Sequence, residues 1–395
     1  MLNKKTIIVS APTLQYLSGG TKFLLEICAQ LNKKYKLILA SKTDNEKISE
    51  ELKKNHIALI SRTRFVSNFY LYWLMFPFSL SYELINLLLI TKKNDILISF
   101  LFPSNFICSL VSIIKNVPHF HYSFEPYPYL KNKRVINQFY FPKKQLFKIY
   151  SFIFSWLDTF GVKNPIVVFT LNQITQKMIK KIYGRDSVVT LMGVDTQHFK
   201  LNNDKQFAQY QPYVVHSTDY TITKHTDLAI KTFAKTQSQK LKLLITSTRP
   251  EASEKVDLIK LVTKLGLSDR VFFLDLIDYN LLPKLYSQAL CYLSCSYDEM
   301  MGTTSSNLPV KEALACGTPA IRANITTEDV EDGVSGYLVD PRKTSAVAKK
   351  IEFLHSHPQI AKQMGLVGRK KIVKLYQWEN VAKKILDNLK EAPND

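Results

Sequence analysis

The sequence predicts an α/β fold of two doubly wound parallel-sheet domains, and three observations predict it. Short apolar runs alternate with amphipathic stretches, the alternation begins afresh at Tyr213, and 395 residues exceed what one ordinary core organises. Hydrophobic residues make up 46% of the chain and charged residues 22%, a globular balance that excludes a disordered chain.

In the first half, Ile7–Ser10, Leu37–Ala40, Ile96–Phe100 and Val167–Thr170 are apolar runs bounded by polar residues, the pattern of buried parallel strands. Between them, Thr21–Leu31 places Phe23, Leu24, Ile27, Cys28 and Leu31 on one helical face. The opening MLNKKTIIVSAP reads as a first strand and not as a signal peptide, because its apolar run is short. The second half repeats the alternation at Tyr213–His216, Leu243–Thr246, Val271–Leu274, Cys291–Leu293 and Ala320–Arg322. Residues 201–212 are polar and end in proline, so they are expected to be a linker between domains at 1–200 and 213–375.

Two stretches depart from the regular pattern. Residues 65–90 are aromatic and carry one charge, Glu83; Pro77 and recurring polar residues argue against a membrane span and for a core or interfacial helix pair. Residues 126–157 contain no Asp or Glu, and interleave Lys131, Lys133, Arg134, Lys143, Lys144 and Lys148 with aromatic side chains. That mixture suits either the surface of an anionic bilayer or a solvated basic face over an aromatic core. It belongs to a wider asymmetry, since the net charge of +20 divides into +16 over residues 1–200 and +4 over the rest. No RNA-module or zinc-finger pattern accompanies the charge, which argues against nucleic acid as a partner. The five cysteines have neither metal-ligand spacing nor an even count, so they read as reduced core residues.

The first candidate for ligand contact is Ser18-Gly19-Gly20-Thr21, between the first strand and the first helix, where glycine lets backbone approach a ligand. It is not a GxGxxG, so a dinucleotide cofactor is poorly supported. The richer candidate is Thr304, Ser305, Ser306, Asn307 and Leu308 ahead of PVKEALACGTP. Hydroxyl and amide side chains before a helix that starts with proline and ends at glycine can meet a diphosphate, helped by the free N–H groups of the helix start. Glu312, one turn into that helix, is placed to accept hydrogen bonds from ribose hydroxyls.

EALACGTPAI, VEDGVSGYLVDP and QMGLVGRKKIVKLYQWENVAKKI resemble the C-terminal domain of the family 4, group 1, retaining glycosyltransferases. SDRVFFLDLIDYNLLPKLYSQALCYLSCS and the Gly-Gly loop extend the likeness over nearly the whole chain. The resemblance implies a GT-B fold, two facing Rossmann-like domains with a deep interdomain cleft, and a last helix at 376–395 that returns to the first domain. It also implies a nucleoside-diphosphate-sugar donor held mainly by the second domain, a glycan or lipid-linked acceptor, no metal, no cofactor and a cytoplasmic location that includes the inner membrane face. Lys224, in the loop after the first strand of the second domain, takes the place of the family's diphosphate-binding lysine; Ile277 follows the base-binding strand. Three positions depart from the pattern. Thr218 and Asp219 stand where the family has Gly-Arg; Thr304 replaces the first of two glutamates, with Glu299 five residues too early; and Phe124 stands at the family's active-site histidine, beside His121 and Glu125. Arg249 is a candidate to replace the missing guanidinium. The rival reading is a degenerate GT-B protein acting as a partner subunit or glycan-binding module, and an epimerase on the same architecture fits the C-terminal pattern less well.

Overall fold

A computed structural model describes the chain apart from residues 1–4, 13, 15–18, 62–68, 132–135, 138–139, 222–223, 248–251, 298–306, 325–327 and 391–395. The chain divides into two units, one of Met1–Leu191 with Trp378–Asp395 and one of Met192–Gln377.

The first unit is a seven-stranded parallel sheet in the order β3-β2-β1-β4-β5-β6-β7. Its strands are β1 (Thr6–Ser10), β2 (Lys36–Ser41), β3 (Ala58–Ser61), β4 (Ile96–Phe100), β5 (His119–Ser123), β6 (Val167–Thr170) and β7 (Val188–Val189). β4 and β5 are buried along their whole length; ILISF of β4 accordingly runs apolar without alternation, while HFHYS of β5 buries two histidines. Parallel strands force crossover helices, and right-handed crossovers put Phe69–Ile90, Ser104–Lys115 and Lys143–Lys163 on one side of the sheet. Gly161 makes the last two fit, since a Cβ there would stand 2.6 Å from the Phe106 amide nitrogen. Helix Trp378–Lys390 packs on Gly19–Asn32, its Trp378 ring 5.5 Å from that of Phe23.

The stretch expected as a helix pair is one 22-residue helix, Phe69–Ile90, that runs through Pro77. Pro77 is exposed, so the carbonyl one turn earlier that it leaves without an amide donor can be hydrated. Ser81 Oγ donates to the Pro77 carbonyl one turn on, at 3.1 Å.

The second unit is a six-stranded parallel sheet in the order β10-β9-β8-β11-β12-β13. Its strands are β8 (Tyr213–Thr218), β9 (Lys242–Ser247), β10 (Val271–Asp275), β11 (Cys291–Ser294), β12 (Ala320–Ala323) and β13 (Gly336–Val339). Leu243, Ile245, Leu293, Ile321 and Ile351 lie at the centre of its core. Residues 201–212 are not a free linker. Asp204 pairs with Lys284 at 2.6 Å, Asn202 N donates to Ser287 Oγ, and the Tyr210 ring packs on Phe272. The apolar residues inside this polar stretch, Phe207 and Tyr210, give it a surface to bury, and the chain divides earlier, at Leu191. All five cysteines are buried and unbridged, and burial pushes the Cys291 thiol up to about 12.

Candidate functional site

In each sheet the strand order reverses at one point, and the loops leaving the carboxyl ends there cannot pack on a common helix, so a crevice opens. In the second sheet that point lies between β8 and β11. Loop 219–225 leaves β8, and the chain leaving β11 leads to helix Leu308–Ala315. Lys224, Asn307, Leu308 and Glu312 therefore gather at one end of one sheet.

A buried hydrogen-bond chain sets the β8 loop. His216 Nδ1 donates to the Leu293 carbonyl of β11 at 2.9 Å, and its Nε2 meets Thr226 Oγ1 at 3.1 Å. Thr226 Oγ1 lies 2.7 Å from Thr218 Oγ1, which accepts from the Tyr220 amide at 2.9 Å. Burial lowers the His216 pKa to about 4, and the positive charge of Lys224 adds to that depression. The neutral ring thus ties the two strands at the switch point to the start of helix Thr226–Phe233. Lys224 is half-buried, and its amide donates to the Thr221 carbonyl.

Asp219 does not pair with Lys224. Its Oδ1 accepts from Thr221 N at 3.0 Å and Thr221 Oγ1 at 2.6 Å, which closes the loop locally. The carboxylate at this position shapes the turn that carries the lysine.

Helix Leu308–Ala315 begins with Pro309 in its first turn and ends before Gly317, whose φ of +78° suits the left-handed residue after a helix. Glu312 is 5% exposed, and its charge helps burial push the Tyr286 and Tyr292 phenols up. It points into the protein beside these rings, one turn past the helix start. Asn307 turns back: its Nδ2 donates to Ser294 Oγ of β11 at 2.8 Å and makes no cap bond. Leu308 opens the helix half-buried, and Ile277 lies half-buried past the carboxyl end of β10. Thr304, Ser305, Ser306, Arg249 and Glu299 lie outside the described residues.

Below the same helix is an ion cluster. Arg322 Nη1 donates to both Asp329 oxygens, at 2.5 and 2.6 Å, and Lys311 Nζ reaches Asp329 at 3.1 Å. All three side chains are buried. The two cations outweigh the cost of burial and hold the Asp329 carboxyl down at about 2. The cluster pins the helix to β12.

The other candidate residues belong to the first unit. Gly19 and Gly20 open helix Gly19–Asn32, past the carboxyl end of β1. Glu125 is half-buried just past β5. His121 is a core residue: Ser99 Oγ bridges its Nδ1 at 2.9 Å and His119 Nε2 at 2.8 Å. It is 1% exposed, on β5 where helix Ser104–Lys115 packs against the strand. Phe124 stands in an aromatic cluster, its ring edge-on to Phe23 at 5.4 Å and 5.8 Å from Phe100. Packing, and not proton transfer, is what this position supplies.

Sequence reasoning missed His216 and Thr226. The available signal was a histidine inside an otherwise apolar strand, followed by a run rich in hydroxyl residues. Among the described residues no cluster of His, Cys, Asp and Glu is arranged to hold a metal ion.

The buried histidines make stability fall in acid. His216 and His121 both sit at about 4 when folded against an ordinary 6.5. Between these values the unfolded chain binds protons that the folded one refuses, so stability is full above pH 6.5 and falls as pH drops toward 4. Each group contributes up to about 3 kcal/mol to that loss. Thermal unfolding of His216→Gln across pH 7 to 4 should show a shallower decline than wild type; parallel curves would contradict the assignment.

Residues 198–371 match the family described as Glycosyl transferases group 1. Over 138 residues the chain is 35% identical to D-inositol 3-phosphate glycosyltransferase of Salinispora tropica, which covers 34% of this chain and 27% of that protein. Over 207 residues it is 28% identical to the O-antigen chain mannosyltransferase RfbU of Salmonella typhimurium, covering 50% of this chain and 54% of that one. The matched stretches thus span about a quarter and about half of these relatives' lengths. The crystal structure of Anabaena Alr3699/HepE in complex with UDP superposes with a TM-score of 0.76 at 15% identity, over 97% of this chain and 99% of that one. That likeness shows the fold, two Rossmann-like domains of the GT-B type.

Proposed function

We propose, for a chain whose residues 198–371 belong to the glycosyl transferases group 1 family and whose fold is GT-B, that it moves a sugar from a nucleoside-diphosphate sugar to a hydroxyl group. The observation that carries this reading is the convergence of Lys224, the start of helix Leu308–Ala315 and Glu312 at the switch point of the second sheet. A diphosphate needs a cation and free backbone N–H groups, and a ribose needs a buried acceptor; this end of the sheet offers each. The bound UDP of the Anabaena protein makes a uridine nucleotide the first donor to test.

In the proposed step the acceptor oxygen bonds to the anomeric carbon as the bond to the diphosphate breaks. Attack on the face the diphosphate leaves retains the configuration, and the departing oxygen takes the hydroxyl proton. Lys224 offsets the charge that grows on the diphosphate. Because the acceptor is proposed to be a cell-surface glycan or lipid-linked sugar, the basic first unit is proposed to rest against the anionic inner face of a membrane. Among the described residues no helix is long and apolar enough to cross one.

A second reading, a degenerate partner subunit or glycan-binding module, is favoured by Asp219, Thr304 and Phe124 at positions where the family has Arg, Glu and His. Release of nucleoside diphosphate from donor by purified protein separates the two, since a binding module releases none. Glu312→Gln keeps the side-chain volume beside Tyr286 and Tyr292, so it should leave the fold intact and weaken nucleotide affinity roughly tenfold, the worth of one charged hydrogen bond. Unchanged affinity for every nucleotide tested would remove Glu312 from the site.

A further inference from the structure

The outer face of one helix layer in the first unit is apolar. On helix Phe69–Ile90, Leu71, Leu74, Met75, Phe78, Tyr82, Ile85 and Leu89 are all exposed, Leu74 and Phe78 at 69% and Leu89 at 77%. Their spacing of three and four residues draws one continuous stripe along the helix, pointing away from the core. Helix Lys143–Lys163 repeats the pattern with Ile149, Phe152, Ile153 and Trp156, Phe152 at 87%. Ile113 and Ile114 do the same on Ser104–Lys115. The three helices adjoin one another, through Phe76 against Phe154 at 5.1 Å and Phe106 against Trp156 at 6.3 Å. The opposite side of the sheet differs: among the described residues, helices Gly19–Asn32, Glu46–Lys54 and Trp378–Lys390 expose no large apolar side chain.

The charges around this face have one sign. Each of the three helices runs antiparallel to the strands it connects, so their carboxyl ends share one edge. Lys92, Lys93, Lys115 and Lys163 are exposed along it, while Lys143 and Lys148 stand toward the other end. The acids are withdrawn. Glu83 is half-buried against Lys42 at 3.9 Å, and Asp158 is buried, accepting from Asn105 at 2.9 Å and Tyr183 at 2.7 Å. An apolar field with a rim of lysines is what the boundary between anionic headgroups and acyl chains selects, because lysine stems lie on the apolar surface while their ammonium groups reach the phosphates.

We propose that this three-helix face inserts its apolar stripes into one leaflet of an anionic bilayer, with the lysines at headgroup level. This deepens the membrane part of the function proposed above, from charge attraction to insertion, and uses none of its chemistry. The test uses the full chain without donor or acceptor. Flotation is measured with vesicles of phosphatidylcholine alone and of an equal mixture with phosphatidylglycerol, at low salt and at about 1 M, where charges are screened beyond about 3 Å. Wild type should bind the mixed vesicles and keep part of that binding at high salt. Leu74→Ser, Phe78→Ser and Leu89→Ser together should lose the salt-resistant part at least tenfold, and Lys143→Glu with Lys148→Glu should lose the salt-sensitive part. Brominated acyl chains should quench a component of tryptophan fluorescence that Trp156→Phe removes. No vesicle binding, binding wholly abolished by salt, or an unaffected serine variant would overturn the proposal. So would a lipid-free dimer that the serine variant dissolves, which would give the face to a second copy of the chain. Loss of nucleoside-diphosphate release, measured separately, would strike the transferase reading and leave this one standing.

Discussion

Lys224→Ala is expected to lower turnover at least about a hundredfold, because each 1.36 kcal/mol of lost transition-state stabilisation is about tenfold. Asp219, at the position where the resemblance implies an arginine, has its carboxylate bonded to Thr221. In the proposed step the growing charge on the leaving diphosphate then falls to Lys224 and the start of helix Leu308–Ala315. Removing a charged hydrogen bond typically costs about 1.5–3 kcal/mol, and losing transition-state charge stabilisation about 3–4. The loop itself should survive, since the His216–Thr226–Thr218 chain holds it without the lysine side chain. Steady-state kinetics of Lys224→Ala should therefore show the loss in kcat with unfolding unchanged. A kcat within threefold of wild type would exclude the role.

Asp329→Ala should destabilise the second unit by about 3–5 kcal/mol, the usual cost of leaving a buried ion without its partner. Here two cations, Arg322 and Lys311, lose one shared carboxylate, and neither can reach water at its present place. For a unit of this size the loss corresponds to a fall in melting temperature of roughly 6–20 °C. Replacing Arg322, Lys311 and Asp329 together by apolar residues of similar volume should cost less than the single change, because no uncompensated charge then remains. Urea unfolding of the single and triple variants checks both statements. A triple variant less stable than Asp329→Ala would mean that the cluster holds the helix by more than charge balance.

The two-sheet fold was legible because buried parallel strands leave continuous apolar runs, and nine of these were visible from Ile7 to Arg322. β5 escaped, since His119 and His121 make HFHYS look polar; only the sheet shows that Ser99 and Ser109 satisfy both rings. The same concealment made His121 a plausible site residue. β3 and β7 sit at the edges of their sheet and are short, so the sequence marks them weakly. Residues 201–212 read as a linker on polarity, while Phe207 and Tyr210 decide their packing.

In the candidate site, the resemblance pointed to Lys224 as a loop lysine, and the proline and glycine around their helix marked Asn307, Leu308 and Glu312, although Asn307 bonds to Ser294 and makes no side-chain cap. Their support was not legible, because His216, Thr226 and Ser294 act through hydrogen bonds between strands that adjoin only after folding. The stripe on Phe69–Ile90 was half legible: composition gave its apolar character, and only the sheet order shows which side of the helix faces outward.

Titration with UDP tests the donor site most directly, on wild type, Lys224→Ala and Asp219→Arg, followed by calorimetry. Wild type should bind, Lys224→Ala should bind at least about tenfold more weakly, a loss of about 1.4 kcal/mol, and Asp219→Arg should not be needed for binding. If wild type binds no nucleoside diphosphate and Asp219→Arg creates the binding, the switch point of the second sheet holds no working donor site.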